Sequence, residues 1–148
     1  MLGACRVQET LRPPEDVVYQ YLLEQLVFNE GGVRLPKEAT VFVGVGRPLQ
    51  AQDPSGETMQ VLSRIWPVRK ISEATPLSWP SQNRILDRKT GHQGWLIWAA
   101  PVQGDGPDKI HFQGGMFSDG TAYKECDFYL IRGKKGWVIV DAKMTGMG

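Results

Sequence analysis

Three ionisable side chains that could perform acid–base chemistry fall on successive strand-like segments near the end of the chain: His111, Asp127 and Asp141. An imidazole placed beside carboxylates can take up and return a proton when the group is partly removed from water. Tyr129, or the protonated form of Asp141, could donate a hydrogen bond to a developing oxyanion. We therefore predict that His111, Asp127 and Asp141 are the candidate catalytic residues.

These side chains need a sheet to position them, and the last third of the sequence predicts one. Four strand-like runs are separated by short turns rich in Gly and Asp, and they span Gly94–Val102, Lys109–Ser118, Thr121–Arg132 and Trp137–Lys143. Neighbouring strands joined by such short turns pair antiparallel. The sequence therefore predicts a C-terminal meander of four antiparallel strands.

The register of the central hairpin decides which residues share a face. The turn at Asp119-Gly120 indicates a two-residue hairpin, and its simplest register would place Phe112 opposite Asp127. A bulge at Gly114-Gly115 would shift the register by one residue and place Phe112 opposite Cys126 instead. We therefore predict a bulge at these two glycines.

After that shift, one face of the meander is apolar and the other is mixed. The apolar face is predicted to include Val138, Val140 and Ala142. The mixed face collects His111, Gln113, Glu125, Asp127, Tyr129, Trp137, Ile139, Asp141 and Lys143. Its aromatic and aliphatic members indicate a face covered by a helix, a ligand or a partner chain. The candidate ligand-binding residues are Gln113, Glu125, Tyr129, Trp137 and Ile139, and the alternative is a solvated ion pair between strands.

The first two thirds of the chain predict the elements that pack on this meander. Pro13-Pro14 open a helix with one apolar stripe, and Ser55 caps a second, short helix over Gly56–Ile65. The other predictions are a tail at residues 1–12, strands at Ala39–Gly46, Val68–Ile71 and Asn83–Arg88, and a loop or lid at Thr75–Gln82. The predicted fold is a single α+β domain over residues 1–148, with a curved antiparallel sheet packed against two helices.

Composition argues against several classes of function. The 148 residues carry a formal net charge of +1, and the basic residues are scattered, so nothing favours binding to nucleic acid or an anionic membrane. Two cysteines, Cys5 and Cys126, are too few for a disulfide framework. No run reaches the ~18 apolar residues of a membrane span. No motif for a metal or a cofactor is found, so we expect neither, in a cytoplasmic protein.

Short motifs along the chain give a resemblance to a known group. They are a Val-rich strand, an Asp-Pro-Ser helix start, a Val-Arg-x-x-Ser segment, a Thr-Gly turn, a Gly-Gly-Met-Phe strand and a Gly-Trp-Val-Ile-Val strand, at 40–46, 53–55, 68–72, 90–91, 114–117 and 136–140. In these motifs the chain resembles a group of small bacterial proteins of unknown function, which carries no catalytic residue to transfer. At fold level it is also similar to cystatin-like and nuclear-transport-factor-2-like domains. That resemblance implies either a His-Asp pocket for proton transfer or a sheet that binds ligands or dimerises.

The function predicted from these observations is a non-enzymatic binding or interaction module. The mixed face would hold a small apolar ligand or would form a homodimer, because a face of this kind is rarely left in water. The alternative is a cofactor-independent isomerase, dehydratase or hydrolase of a small organic molecule. In that alternative, His111 is the general base and Asp127 orients it.

Overall fold

A six-stranded sheet forms the centre of the fold, and a computed structural model describes the chain over residues 12–29, 31–102, 104 and 106–148. In chain order the elements are helix α1 (Pro14–Val27), strands β1 (Phe28–Asn29), β2 (Gly32–Val33) and β3 (Val41–Val45), helix α2 (Gly56–Ser63), and strands β4 (Val68–Lys70), β5 (Trp95–Val102), β6 (Lys109–Asp119), β7 (Ala122–Gly133) and β8 (Gly136–Met147). The predicted tail, apart from Arg12, lies outside the described residues.

The strand order of the large sheet is β4-β3-β5-β6-β7-β8, while β1 and β2 form a separate small hairpin. Strands β5 to β8 pair antiparallel in sequence order, as predicted. Strand β3, however, runs parallel to both β4 and β5. Helix α2 lies between β3 and β4 in the chain and provides the crossover that a parallel pair requires. The α+β class is therefore confirmed, with a parallel portion at one edge that the sequence did not predict.

Helix α1 lies on one face of the sheet because its apolar side chains form the predicted stripe. Val18, Leu22 and Leu26 are all buried against the strands. The helix begins at Pro14, where proline needs no backbone donor, and acidic residues follow in its first turn. The Tyr19 hydroxyl donates a 2.7 Å hydrogen bond to the Gly44 carbonyl of β3. This contact ties the middle of the helix to the parallel strands.

Helix α2 is joined to α1 by a buried polar contact. Ser55 caps α2 as predicted, since its Oγ accepts from the backbone N–H of Thr58 at 3.2 Å. The Thr58 hydroxyl in turn donates to the buried Asp16 carboxylate of α1 at 2.6 Å. Together the two helices cover one face of the sheet, which we call the helix face. The main core lies beneath them and includes Val43, Ile97, Phe112, Phe128 and Leu130.

A second, smaller core lies on the opposite face of the sheet. It consists of Phe42, Leu96 and Trp98 from the strands with Ala74 and Ile85 from the segment 71–93, all of them buried. Trp95 and Trp98 therefore face opposite sides, as their spacing predicts. The segment covers the β3–β5 part of this face and, beyond it, reaches the hairpin end of β6, where the Ile85 N–H donates to the Ser118 carbonyl. We call the uncovered part, on β6, β7 and β8, the open face.

The predicted strand at Asn83–Arg88 is wrong, because this part of the covering segment forms only isolated bridges. Its hydrogen bonds converge on the side chain of Asp87, which is 4% exposed. That carboxylate accepts from the Arg69 guanidinium and, at 2.9 Å, from the backbone N–H of Lys89. Side-chain bonds and a turn therefore replace the ladder that a strand would need. The irregular loop predicted at Thr75–Gln82 is borne out, as only one isolated bridge falls within it.

Within residues 12–29, 31–102, 104 and 106–148, no helix has the length and apolar character needed to cross a membrane.

Candidate functional site

The register of β6 and β7 places the predicted catalytic pair on the open face by a different route from the one predicted. Gly114 pairs regularly with Cys126, and Phe112 pairs with Phe128. The register shift falls instead between Phe117 and Asp119 at the hairpin end. The bulge predicted at Gly114-Gly115 is therefore wrong. The residues of β6 and β7 nevertheless lie on the predicted faces. The predicted and the observed registers differ from the simplest register by one residue in opposite directions, and either shift exchanges the same two faces.

The turn chemistry explains why the irregularity lies at the hairpin end. Asp119 pairs with Ala122, so the two turn residues are Gly120 and Thr121 rather than Asp119 and Gly120. The Asp119 carboxylate accepts from the Thr121 backbone N–H at 2.8 Å, which closes the turn locally. The buried Ser118 hydroxyl donates to the Gly94 carbonyl at 2.7 Å. The carboxylate and the hydroxyl thereby provide bonds where the regular ladder is interrupted.

Strand β8 carries a bulge of its own, and this moves two predicted ligand-binding residues away from the site. Tyr129 pairs with Asp141 while Leu130 pairs with Ile139, so Val140 is an extra residue. An extra residue exchanges the faces of everything beyond it. Trp137 and Ile139 consequently pack on the main core of the helix face. Their predicted placement on the mixed face is wrong.

The burial predicted for the apolar residues of β8 is also wrong. Val138 and Val140 are more than half exposed, and Ala142 is also exposed rather than buried in the core. The bulge turns Val138 to the open face, while Ala142 lies opposite Phe128 on the helix face but at the edge of the sheet, where it stays exposed. On this edge strand, a place on the helix face is therefore not sufficient to bury a side chain.

His111 and Asp127 do come together on the open face. His111 Nε2 lies 3.0 Å from Asp127 Oδ1, and each side chain is about one-fifth exposed. An ionised carboxylate can only accept, so the imidazole donates from Nε2 and carries its lone pair on Nδ1 when it is neutral. The imidazole also stacks on the Tyr129 ring, with the ring centroids 4.4 Å apart. The hydrogen bond to Asp127 and the stacking on Tyr129 together fix the orientation of the imidazole ring.

The third predicted catalytic residue is not part of this pair. Asp141 lies opposite Tyr129 rather than beside Asp127, and its carboxylate is 3.7 Å from Lys143 Nζ. Lys143 occupies the position opposite Asp127, and its ammonium group lies 5.4 Å from the Tyr129 ring centroid. Asp141 therefore belongs to an exposed ion pair at the sheet edge. The predicted cluster of two carboxylates around one imidazole does not form.

Gln113 and Glu125, both predicted ligand-binding residues, meet through an arginine that the sequence reasoning did not include. Arg47 follows β3 and donates to Gln113 Oε1 at 2.6 Å, while its other terminal nitrogen lies 3.4 Å from Glu125 Oε1. Its guanidinium lies 5.4 Å from the Trp98 ring centroid. A charge-assisted bridge on an aromatic ring is thus built from three separate strands and a loop.

A half-open cleft adjoins this bridge and encloses about 550 Å³. Its floor is formed by Phe117 and Tyr123, and its walls by the turn at 48–50 and the loop at 77–83. Leu49 and Trp79 project from these walls and are 59% and 62% exposed. Arg47, Gly120 and Glu125 complete the lining, and the walls add the amide side chains of Gln50, Gln82 and Asn83. The cleft therefore combines apolar side chains with a small number of polar groups, as small-molecule sites do.

The sequence indicated only part of this cleft. Glu125 was predicted to bind ligand, and Thr75–Gln82 was predicted to be a loop or lid. Arg47 and Leu49 were missed, because their position depends on β3 pairing beside β5, and no local pattern specifies that order. One signal was present in the sequence: Trp79 is a large apolar residue in a segment that otherwise reads as a turn.

No group of three or more His, Cys, Asp or Glu side chains that could hold a metal ion is found among the described residues. The Cys126 thiol is buried, and burial raises its pKa, as expected for a small core residue rather than a reactive thiol.

Comparisons of the chain with protein-family models, with curated proteins and with solved structures found no match.

Proposed function

We propose that this protein is a non-enzymatic binding module that holds a small apolar ligand in the cleft beside the open face. The observation that carries the proposal is the cleft itself, with Trp79 and Leu49 largely exposed at its walls. Two such side chains on one concave surface cost free energy in water unless something covers them. Burying them against a ligand would recover that free energy.

The lining favours a flat, apolar ligand with one polar end. Phe117, Tyr123 and Trp79 offer aromatic surface, against which a ring can stack. The Arg47–Glu125 bridge stands at one side of the same cleft, where its guanidinium can interact with an anionic or carbonyl group. The bridge balances one charge with another, so a ligand with a modest polar group fits better than a highly charged one.

The test uses 1-anilinonaphthalene-8-sulfonate, a probe with an aromatic body and one anionic group. We expect saturable binding to a single site, followed by probe fluorescence. Trp79→Ala should weaken probe binding by about tenfold, as loss of a central aromatic anchor does. The variant should keep its stability within about 0.5 kcal/mol, because the side chain is largely exposed.

A matched control is Val33→Ala on β2, a second exposed apolar side chain outside the cleft. Its probe affinity should equal that of the parent protein. Cooperative urea unfolding of each variant must accompany the measurement, because the same probe binds loosened cores. Equal probe affinity in Trp79→Ala and the parent would contradict the proposal.

A second candidate function is favoured by one observation, the hydrogen-bonded pair of His111 and Asp127 stacked on Tyr129. As proposed from the sequence, this pair would act in a cofactor-independent isomerase, dehydratase or hydrolase, with His111 Nδ1 taking the proton. We rank this function second because, among the described residues, neither member of the pair lines the cleft. A substrate would have to bind on the open face itself.

The enzymatic candidate is tested by proton exchange rather than by a guessed substrate. A panel of small ketones and hydroxy acids is incubated with the protein in D₂O, and loss of the hydrogen next to the carbonyl is followed by NMR. Exchange above the buffer rate that disappears in His111→Asn would support the enzyme. Exchange that is unchanged in that variant would remove His111 from the mechanism.

A further inference from the structure

We infer that the edge of β8, which has no neighbouring strand among the described residues, is the interface of a two-fold homodimer centred on Ala142. Strand β8 is the last strand of the sheet and runs for twelve residues, Gly136–Met147. Every second backbone N–H and C=O of such a strand points away from the sheet, ready to pair with another chain. Val140 and Met144 beside the centre are 56% and 55% exposed, so the strand also presents apolar surface.

The two edges of the sheet are unequal, and this selects a closed dimer over a filament. The opposite edge is β4, which has only three residues, Val68–Lys70. Pairing of β8 with β4 of the next copy would leave most of β8 unpaired. Antiparallel pairing of β8 with β8 of a second copy instead brings together the regular stretch of the strand beyond the bulge, Asp141 to Met144, in both copies. Such a contact is self-complementary and closes after two subunits.

Charge selects one register among the possible two-fold pairings. A two-fold axis perpendicular to the sheet keeps each face of the sheet on the same side in both copies. Residues that lie opposite each other must then share a face, so at the axis one residue of β8 lies opposite the same residue of the partner. The regular part of the β8 ladder beyond the bulge is Asp141 to Met144. A centre at Asp141 places two carboxylates opposite each other, and a centre at Lys143 places two ammonium groups opposite each other. A centre at Ala142 places each Asp141 opposite the partner's Lys143.

The pairing centred on Ala142 extends a contact already present within one chain. Asp141 and Lys143 share the open face and are 3.7 Å apart, with side chains 49% and 65% exposed. In the dimer the four charges alternate in sign around the axis. Exposed pairs of this kind add little free energy individually, so they determine the register more than the strength. Most of the free energy of dimerisation comes from backbone pairing and from the burial of Val140 against the partner's Met144.

The experiment is sedimentation equilibrium at micromolar concentration and low ionic strength, with a charge-reversal set. The parent should form a species of twice the 16.5 kDa chain mass. Asp141→Lys and Lys143→Asp should each weaken dimerisation by about tenfold, because each creates two like-charge pairs across the axis. The double variant with both changes should dimerise like the parent, since it restores both opposite-charge pairs. Weakening by the single variants without recovery in the double variant would overturn the register, and a parent that is monomeric throughout would overturn the dimer.

A disulfide experiment measures the register directly, on a Cys5→Ser background. Ala142→Cys should crosslink two copies on mild oxidation, because residues facing each other across an antiparallel pair have Cα atoms about 4.5–5.5 Å apart. The matched control is Lys135→Cys in the β7–β8 turn, which is exposed but far from the proposed axis. Equal crosslinking at the two positions would overturn the proposal. Probe binding at the cleft is measured separately, so failure of the dimer leaves the proposed binding function untouched.

Discussion

The two faces of the sheet are built from alternate residues of the same strands, yet their surroundings differ. The helix face is one continuous apolar core under α1 and α2. The opposite face is divided between a small second core, under the segment 71–93, and the open face with its polar pairs. Most of the buried apolar side chains lie on the helix face, and their burial supplies most of the stability. The other face could therefore retain groups suited to binding, provided that each polar group has a partner.

The way in which each face is covered also differs. Helix α1 covers its face with a regular apolar stripe, which needs no particular polar contact. The segment 71–93 has almost no regular structure and is tied down by Asp87, with Arg69 and the turn at Lys89. The free energy of unfolding should therefore fall when a buried side chain on the helix face is shortened. On the other face it should fall when the Asp87 carboxylate is protonated. Leu130→Ala and Asp87→Asn test this difference, and Gly115→Ala tests the strand packing that both faces share.

The largest effect is expected from Leu130→Ala, compared with Ile131→Ala at the next position of β7. Leu130 is 1% exposed on the helix face, whereas Ile131 is 41% exposed on the other face. Truncation of the buried side chain should lower the free energy of unfolding by about 2–5 kcal/mol, because it leaves a cavity in the core. Truncation of its neighbour should cost less than about 1 kcal/mol. Urea denaturation measures both, and similar costs would contradict the division between the faces.

A smaller loss is expected from Gly115→Ala, at a position where the backbones of β6 and β7 approach closely. A Cβ at Gly115 would collide with the Lys124 carbonyl oxygen, which is backbone and has no room to move aside. We expect a loss of about 1–3 kcal/mol of stability, the range for strain forced on a packed strand. The matched control is Gly56→Ala, since a Cβ at Gly56 meets nothing within 4 Å. A neutral Gly115→Ala would show that the strands can separate there without cost.

The smallest effect is expected from Asp87→Asn, and it should depend on pH. The backbone N–H of Lys89, together with the Arg69 guanidinium, holds the pKa of the Asp87 carboxyl below its usual range. A carboxyl with a lowered pKa stabilises the folded state above its unfolded pKa of about 4, and this contribution is lost as the pH falls through the folded pKa. Asp87→Asn should therefore be less stable than the parent at neutral pH, and the difference should shrink on acidification.

Thermal unfolding of both proteins between neutral and acidic pH measures that difference. Asp119→Asn serves as the comparison, because Asp119 also has a lowered pKa, caused first by the Gln93 side-chain amide. Its carboxyl closes the β6–β7 turn and contacts only the last residue of the covering segment, Gln93. A gap between parent and Asp87→Asn that stays constant with pH would contradict a role for the ionised carboxylate.

Local patterns in the sequence were sufficient for most of the fold. The apolar spacing of α1, the Ser55 cap of α2 and the turns of the meander each depend on residues close together in the chain. Such signals arise from backbone geometry and capping, so they are readable without tertiary contacts. The pairing of His111 with Asp127 was also accessible, because alternation along two adjacent strands places them on one face.

Tertiary structure alone decided the features that depend on register and strand order. One extra residue at Val140 moved Trp137 and Ile139 to the helix face, and no turn signal marked that position. The parallel placement of β3 beside β5 brought Arg47 to Gln113 and Glu125, which lie 66 and 78 positions further along the chain. Bulges and long-range strand order are set by the packing of the whole sheet, and hence the cleft was visible only in the folded chain.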